Sequence, residues 1–284
     1  MSFRFFKRNT DPKSLLHKVL GDFQLPSFPD VVLKTLEKIR DPNADAHTVA
    51  RVLAKDPSLT VKVLKTVNSA AFSPVKRIEN LQQAIALMGL PSLESLVLSM
   101  GVNKALPNQS IGPFQAHLFW LGSARRAYTA EALSEYLHPQ KNIECFTEGL
   151  LQDMAVPLLA TRRPKEYGPI LEAWSKGKKR LHELEKEVFG WDHAEVATWM
   201  CAEWDFPESL AAAIGGHNQK DDHGPFERPA AIHLVSLIKN TLDDPGTELL
   251  IREARENYGL AEDLTRRLLE ENFVKAEELV RIIA

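Results

Sequence analysis

Asp56-Pro57-Ser58-Leu59-Thr60-Val61-Lys62-Val63-Leu64-Lys65-Thr66-Val67 is the stretch on which the fold class turns. Val61, Val63 and Val67 carry strand propensity. Leu59, Val63, Leu64 and Val67 nevertheless recur at spacings of three and four, which line one face of a helix. Asp56 before Pro57 places a cap residue and then proline at the first helical position, a strong restart signal. The stretch is read as a helix.

The same pattern holds outward in both directions. Upstream, Pro29 opens a helix over 30–39 with Val32, Leu33, Leu36 and Ile39 on one stripe. Asp41-Pro42-Asn43 breaks it, and Asp45 caps a second helix burying Val49, Val52 and Leu53. Downstream, helices are expected over 81–88 and 92–106, separated by Gly89 and Pro91. The turn-rich run Asn108 to Pro113 is the best internal boundary. Beyond it the spacing predicts helices over 114–137, 144–159, 165–174, 181–188, 193–204, 209–217 and 228–242. From Thr247 to Ala284 charges alternate with Leu, Val and Ile at helical spacing. Asp192 and Glu195 stand as cap and N3 residue of a capping box. No strand pattern persists and no repeat of 20–50 residues recurs, so the expected fold class is all-α.

Composition narrows the function. The chain has 284 residues, 44% hydrophobic and 26% charged, enough for one elongated unit or two compact ones. A formal charge of −3 gives no global field toward nucleic acid or anionic membrane. The run Lys176-Gly177-Lys178-Lys179-Arg180 is the one concentrated basic patch; without interleaved aromatic residues it reads as a solvated loop, and no nucleic-acid partner is expected. Cys145 and Cys201 stand far apart, neither a disulfide framework nor a zinc ribbon, which fits a reducing cytoplasmic setting. No unbroken run of about 18 apolar residues occurs, so no transmembrane segment is expected. The basic, aromatic start Met1-Ser2-Phe3-Arg4-Phe5-Phe6-Lys7-Arg8 lacks the apolar core of a signal peptide; it is read as frayed or packed on the body.

Three positions carry candidate chemistry. Residues 149–156 read Gly-Leu-Leu-Gln-Asp-Met-Ala-Val, an apolar helix carrying one carboxylate, Asp153, beside a neutral amide, Gln152, which is a weak metal ligand. His193 follows a cap residue and His217 ends a helix. Singly, each is ordinary: a buried aspartate is usually hydrogen-bonded, and a histidine near a helix end can bond free carbonyls. Together, one carboxylate and two imidazoles form a recognised ligand set for one metal. Gln152 cannot add charge to it. Neither a phosphate-cradling glycine loop nor a Ser-His-Asp signature is present. Asn68-Ser69-Ala70-Ala71-Phe72, at a helix end, reads as architectural.

At this point the chain resembles the HDOD proteins, diverged relatives of HD and HD-GYP phosphohydrolases. The resemblance runs from Leu25-Pro26-Ser27-Phe28-Pro29 through Asp56-Pro57-Ser58-Leu59, Val67-Asn68-Ser69-Ala70 and Ala84-Ile85-Ala86-Leu87-Met88-Gly89. It continues in Gly149-Leu150-Leu151-Gln152-Asp153, Asp192-His193-Ala194-Glu195-Val196 and Ala212 to His217. It implies a two-lobed helical fold: an N-terminal extension (1–19), an N-terminal lobe (20–110), an HD-like lobe (111–243) and a C-terminal helical segment (244–284). Laid on this sequence, the HD ligand set falls on Gly122, Gln152, Asp153, His193, His217 and Ser236, so three positions lack a competent ligand. The Gly-Lys that follows the pair in many active cyclic-dinucleotide phosphodiesterases is Ala155-Val156.

The resemblance therefore implies a non-enzymatic signalling module that binds a protein partner, with a degraded metal site and no catalytic residue. A homodimer is open to it. No cofactor is expected beyond at most one divalent metal ion on Asp153, His193 and His217. Two alternatives stay open: a metal-dependent phosphohydrolase with a reduced, mononuclear site, and a sensor that binds a small ligand in the vestigial pocket.

Overall fold

The computed structural model describes residues 11–21, 25–177, 179–218, 229–239 and 245–283, and among them the fold is helical throughout with no β-strand. The first five helices are α1 (Pro12–Leu20), α2 (Asp30–Ile39), α3 (Ala46–Leu53), α4 (Pro57–Val67) and α5 (Leu81–Ala105). The next five are α6 (Ala116–Leu137), α7 (Asn142–Leu151), α8 (Val156–Arg162), α9 (Pro164–Ser175) and α10 (Leu181–Phe189). They are followed by α11 (His193–Glu203), α12 (Glu208–Gly216), α13 (Ala230–Val235), α14 (Pro245–Tyr258) and α15 (Glu262–Ile283).

Short polar side chains start these helices by accepting from otherwise unpaired N–H groups. Asp45 accepts from the Thr48 N–H at 2.7 Å, and Thr48 Oγ1 accepts in return from the Asp45 N–H at 3.2 Å. Asp56 accepts from the Leu59 N–H at 3.0 Å, and Pro57 opens α4. Asn68 ends α4 and binds the loop that follows: its amide nitrogen donates to the Leu64 and Ile78 carbonyls, and its oxygen accepts from the Ile78 N–H. These three hydrogen bonds give the Asn68 segment the architectural role expected of it.

Gly89, at φ 76°, interrupts α5 where two separate helices are expected. Only glycine adopts that conformation without strain. An 18-residue window of α5 has a mean hydropathy of 1.6, so by length and composition this helix could cross a membrane, although the sequence reading expects none. The fold gives another reason for its apolar surface: α2, α3, α4 and α7 all pack around it.

Two differences from the sequence reading matter for the site. The expected helix over 144–159 is two helices; α7 stops at Leu151 and α8 starts at Val156. Gln152 and Asp153 thus lie in a tight turn, closed by hydrogen bonds from Met154 N to Leu151 O and from Val156 N to Asp153 O, both 2.9 Å. They are not inside an apolar helix. Helix α13 ends at Val235, and the remainder of the 228–242 expectation falls partly outside the described residues. The basic start at residues 1–10 lies outside them as well.

One apolar core runs from Val32, Leu53 and Val63 to Met154, Val196, Met200 and Ile214, and a second gathers Leu133, Ile232, Leu250 and Phe273. Phe28 joins distant parts of the first. It packs its ring 5.3 Å from both Trp204 and Phe206, and Trp204 Nε1 donates to the Pro26 carbonyl at 3.0 Å. Helix α1, within the stretch expected as an extension, packs Leu16, Val19 and Leu20 inward and lies against α11. Helix α15 lies along α6 and reaches α4, where Glu278 accepts from the Ala70 N–H at 2.8 Å.

Candidate metal centre

Four elements deliver the site. The α7–α8 turn presents Asp153, the first turn of α11 presents His193, the end of α12 presents His217, and the middle of α6 presents Arg126. Glycines allow these elements to approach. A Cβ on Gly149 of α7 would stand 3.0 Å from the Arg126 carbonyl oxygen, so α6 and α7 touch backbone to backbone. A Cβ on Gly215 of α12 would stand 2.6 Å from Thr198 Oγ1 of α11. The Asp192 cap holds the α11 start: it accepts from the Glu195 N–H, Glu195 accepts from the Asp192 N–H, both at 3.0 Å, and Lys186 pairs with Asp192 at 2.9 Å.

Three ligand atoms converge on one point. Asp153 Oδ1 is 3.2 Å from His193 Nε2 and 3.3 Å from His217 Nε2, and the two Nε2 atoms are 3.2 Å apart. The far side of each imidazole is committed. His217 Nδ1 lies 2.6 Å from the Ile214 carbonyl, which can only accept, so Nδ1 carries a proton and Nε2 is the atom turned to the cluster. His193 Nδ1 lies 2.6 Å from Glu185 Oε2, the same oxygen that accepts from the His193 N–H at 2.9 Å. Glu185 is fully buried, and the Tyr167 hydroxyl donates to its other oxygen. This carboxylate–histidine support is the usual arrangement behind a metal-binding imidazole. Metal–ligand bonds of roughly 2.0–2.2 Å place tetrahedral donors about 3.4 Å apart. The observed triangle therefore fits a single divalent ion, held from one side.

Arg126, 2% exposed, completes the cluster. Its Nη2 lies 3.0 Å from Asp153 Oδ2 and 3.1 Å from Ser123 Oγ, and its Nη1 donates to the Ile238 carbonyl at 3.2 Å. Burial alone would raise the Asp153 pKa. Arg126 and the two imidazoles outweigh it, and the carboxyl is held well below its ordinary range. Burial opposes a charge on His193, but Glu185 and Asp153 overcome it and raise that imidazole well above its ordinary value.

The sequence candidates divide accordingly. Asp153, His193 and His217 are brought together. Ser236 lines the same cavity, with its hydroxyl donating to the His233 carbonyl at 2.7 Å. Gln152 is 1% exposed, and neither amide atom has a hydrogen-bond partner. Gly122 lies one helical turn before Arg126, with no side chain to offer. A cavity of about 290 Å³ opens over Asp153, His193 and His217. Lys179 and Arg180, read as part of a solvated loop, line it together with Lys239; Lys178 is outside the described residues. Arg126, Glu185 and Tyr167 are the residues sequence reasoning passes over. Their signal is faint: a charged or hydroxylated residue at a position that helical spacing points inward.

The HDOD domain model matches residues 25–220, more than half of the chain. The chain belongs to the HDOD family. A solved structure from Shewanella amazonensis SB2B, named "putative phosphohydrolase", is similar at a TM-score of 0.75 and 22% identity, covering 96% of this chain and 99% of that one. Another, from Marinobacter aquaeolei VT8 and named a "putative signal transduction protein", is similar at 0.68 and 16%, covering 98% and 62%. At these identities the likeness speaks for the fold. A Treponema pallidum (strain Nichols) protein, itself named as uncharacterized, is 25% identical over 219 residues. That match covers 77% of this chain and 42% of the relative, so the chain spans under half of that protein's length.

Proposed function

We propose that this HDOD protein is a non-enzymatic regulatory module of signal transduction that acts by binding a protein partner, with its HD-type site reduced to a single metal position. One observation carries the reading. Among the described residues, a single cluster of potential ligands comes together, and it holds one carboxylate and two imidazoles. A two-metal hydrolytic centre needs ligands for both ions and a bridge between them. The positions where more donors would be sought hold Gly122, Gln152 and Ser236, none of them a carboxylate or an imidazole. A cytoplasmic setting belongs to the same proposal, supported by Cys145 and Cys201, both free and buried.

A divalent ion bound by Asp153, His193 and His217 would supply a Lewis-acid centre with water in its open positions. That geometry, beneath an open cavity, is the observation that favours the second reading, a mononuclear phosphohydrolase. Turnover separates the two. Purified protein supplied with manganese, zinc or iron is expected to leave cyclic dinucleotides and generic phosphodiester substrates intact. Hydrolysis that scales with protein, survives repurification and vanishes in Asp153→Ala would overturn the non-enzymatic reading in favour of the hydrolase.

A further inference from the structure

Asp153 uses its two oxygens differently. Oδ1 faces both imidazoles, whereas Oδ2 faces the guanidinium of Arg126. A carboxylate bridges two ions by giving one oxygen to each, and here the second oxygen already meets a cation. Arg126 is fixed there: it is buried in α6 and tied to Ser123 Oγ and to the Ile238 carbonyl. We propose that Arg126 is a resident cation standing where a second metal ion would have to bind Asp153, and that it thereby limits the site to one ion and weakens the site's hold on that ion.

Two consequences follow from the electrostatics. A fixed positive charge on the single carboxylate opposes a divalent ion approaching the other oxygen, an effect strengthened by burial. Removing that charge without removing volume should tighten metal binding. Replacing it by a carboxylate should do more: two buried acids facing each other without a cation are unstable until metal arrives. The inference rests on reading Asp153, His193 and His217 as metal ligands, and it is independent of whether the protein turns anything over.

The test is a titration of manganese or zinc into wild type, Arg126→Met, Arg126→Lys and Arg126→Glu, with calorimetry for affinity and elemental analysis for stoichiometry. Melting temperatures with and without metal report folding. Wild type is expected to bind at most one equivalent. Arg126→Met should bind one equivalent at least about tenfold more tightly, and Arg126→Lys, which keeps the charge, should stay near wild type. Arg126→Glu should melt low without metal, rise steeply with it, and take up a second equivalent. Two equivalents retained by wild type would overturn the proposal whichever variants fold. So would a folded Arg126→Met with unchanged affinity, or an Arg126→Lys that binds as tightly as Arg126→Met. Hydrolysis by a wild type holding one ion would sink the non-enzymatic reading and leave this inference standing.

Discussion

Arg126 Nη2 and Asp153 Oδ2 stand 3.0 Å apart with the arginine 2% exposed, so the turn between α7 and α8 is anchored by an ion pair whose cation is buried. Such a pair contributes little net stability relative to an apolar replacement, but breaking one half leaves an uncompensated charge.

Asp153→Ala should therefore destabilise the fold by about 3 kcal/mol, read as a shift in the urea midpoint at constant slope. The double variant Arg126→Met/Asp153→Leu should lose less than the sum of its single changes, since neither charge remains to be stranded. A loss under about 1 kcal/mol in Asp153→Ala would mean that water reaches the guanidinium once the carboxylate is gone.

Glu185 and His193 form the next dependence. With Nδ1 held by a buried carboxylate, the ring presents Nε2 to the cluster in one orientation. Glu185→Gln keeps the shape but removes the charge, and should weaken metal binding by about 10- to 100-fold. Tyr167→Phe, which removes one hydrogen bond to Glu185, should have a smaller effect in the same direction. Equal affinities in calorimetry for all three proteins would show that His193 is positioned by packing alone.

How much of this was legible in the sequence depends on whether the cause was local. Asp56, Asp192 and Gly89 act on their own neighbours, so the start of α4, the start of α11 and the break in α5 can be read from residue order. His193 and His217 were legible through their motif context. The turn at Gln152–Ala155 was hidden because Leu151-Gln152-Asp153-Met154-Ala155-Val156 keeps an apolar helical pattern through it; Pro157, at the start of α8, was the overlooked signal. Arg126 and Glu185 acquire meaning only from partners 27 and 8 residues away along the chain, on other elements (Asp153 and His193). Spacing within one helix carries no information about those.

Glu148 gives the fold a pH dependence. Burial, reinforced by Glu144 and opposed by Lys141, raises its pKa from 4.5 to about 7, and Oε2 has no hydrogen-bond partner. Between pH 4.5 and about 7 the unfolded chain has released this proton while the folded chain keeps it. The native state binds more protons there, so stability falls as pH rises across that window. The loss is on the order of 3 kcal/mol. Glu131, raised to about 7 mainly by burial, adds to the same trend. Urea midpoints at pH 5 and pH 8 should differ less in Glu148→Gln than in wild type, and an identical difference would place the effect elsewhere.

Gly149 and Gly215 offer a contrast between a contact that can yield and one that cannot. A Cβ at Gly149 would meet the Arg126 carbonyl oxygen at 3.0 Å, Ala130 Cβ at 3.1 Å and Ala127 Cα at 3.2 Å. Two of those three atoms are backbone of α6, so Gly149→Ala can be accommodated only by moving α7 away from α6. Asp153 follows α7 by two residues and would be drawn from Arg126. The expected cost is about 1–3 kcal/mol, together with weakened metal binding. At Gly215 the nearest atom is Thr198 Oγ1, at 2.6 Å, a side-chain hydroxyl that donates to the Ala194 carbonyl at 2.9 Å. Trimming that residue removes the obstacle. Thr198→Ala should therefore rescue most of the stability lost in Gly215→Ala, whereas Ala130→Gly should leave Gly149→Ala largely unrescued, because the carbonyl oxygen and Ala127 remain. Thermal melts of the four variants and the two combinations decide it. A full rescue of Gly149→Ala by Ala130→Gly would show that the α6–α7 contact is set by side chains and can relax without disturbing Asp153.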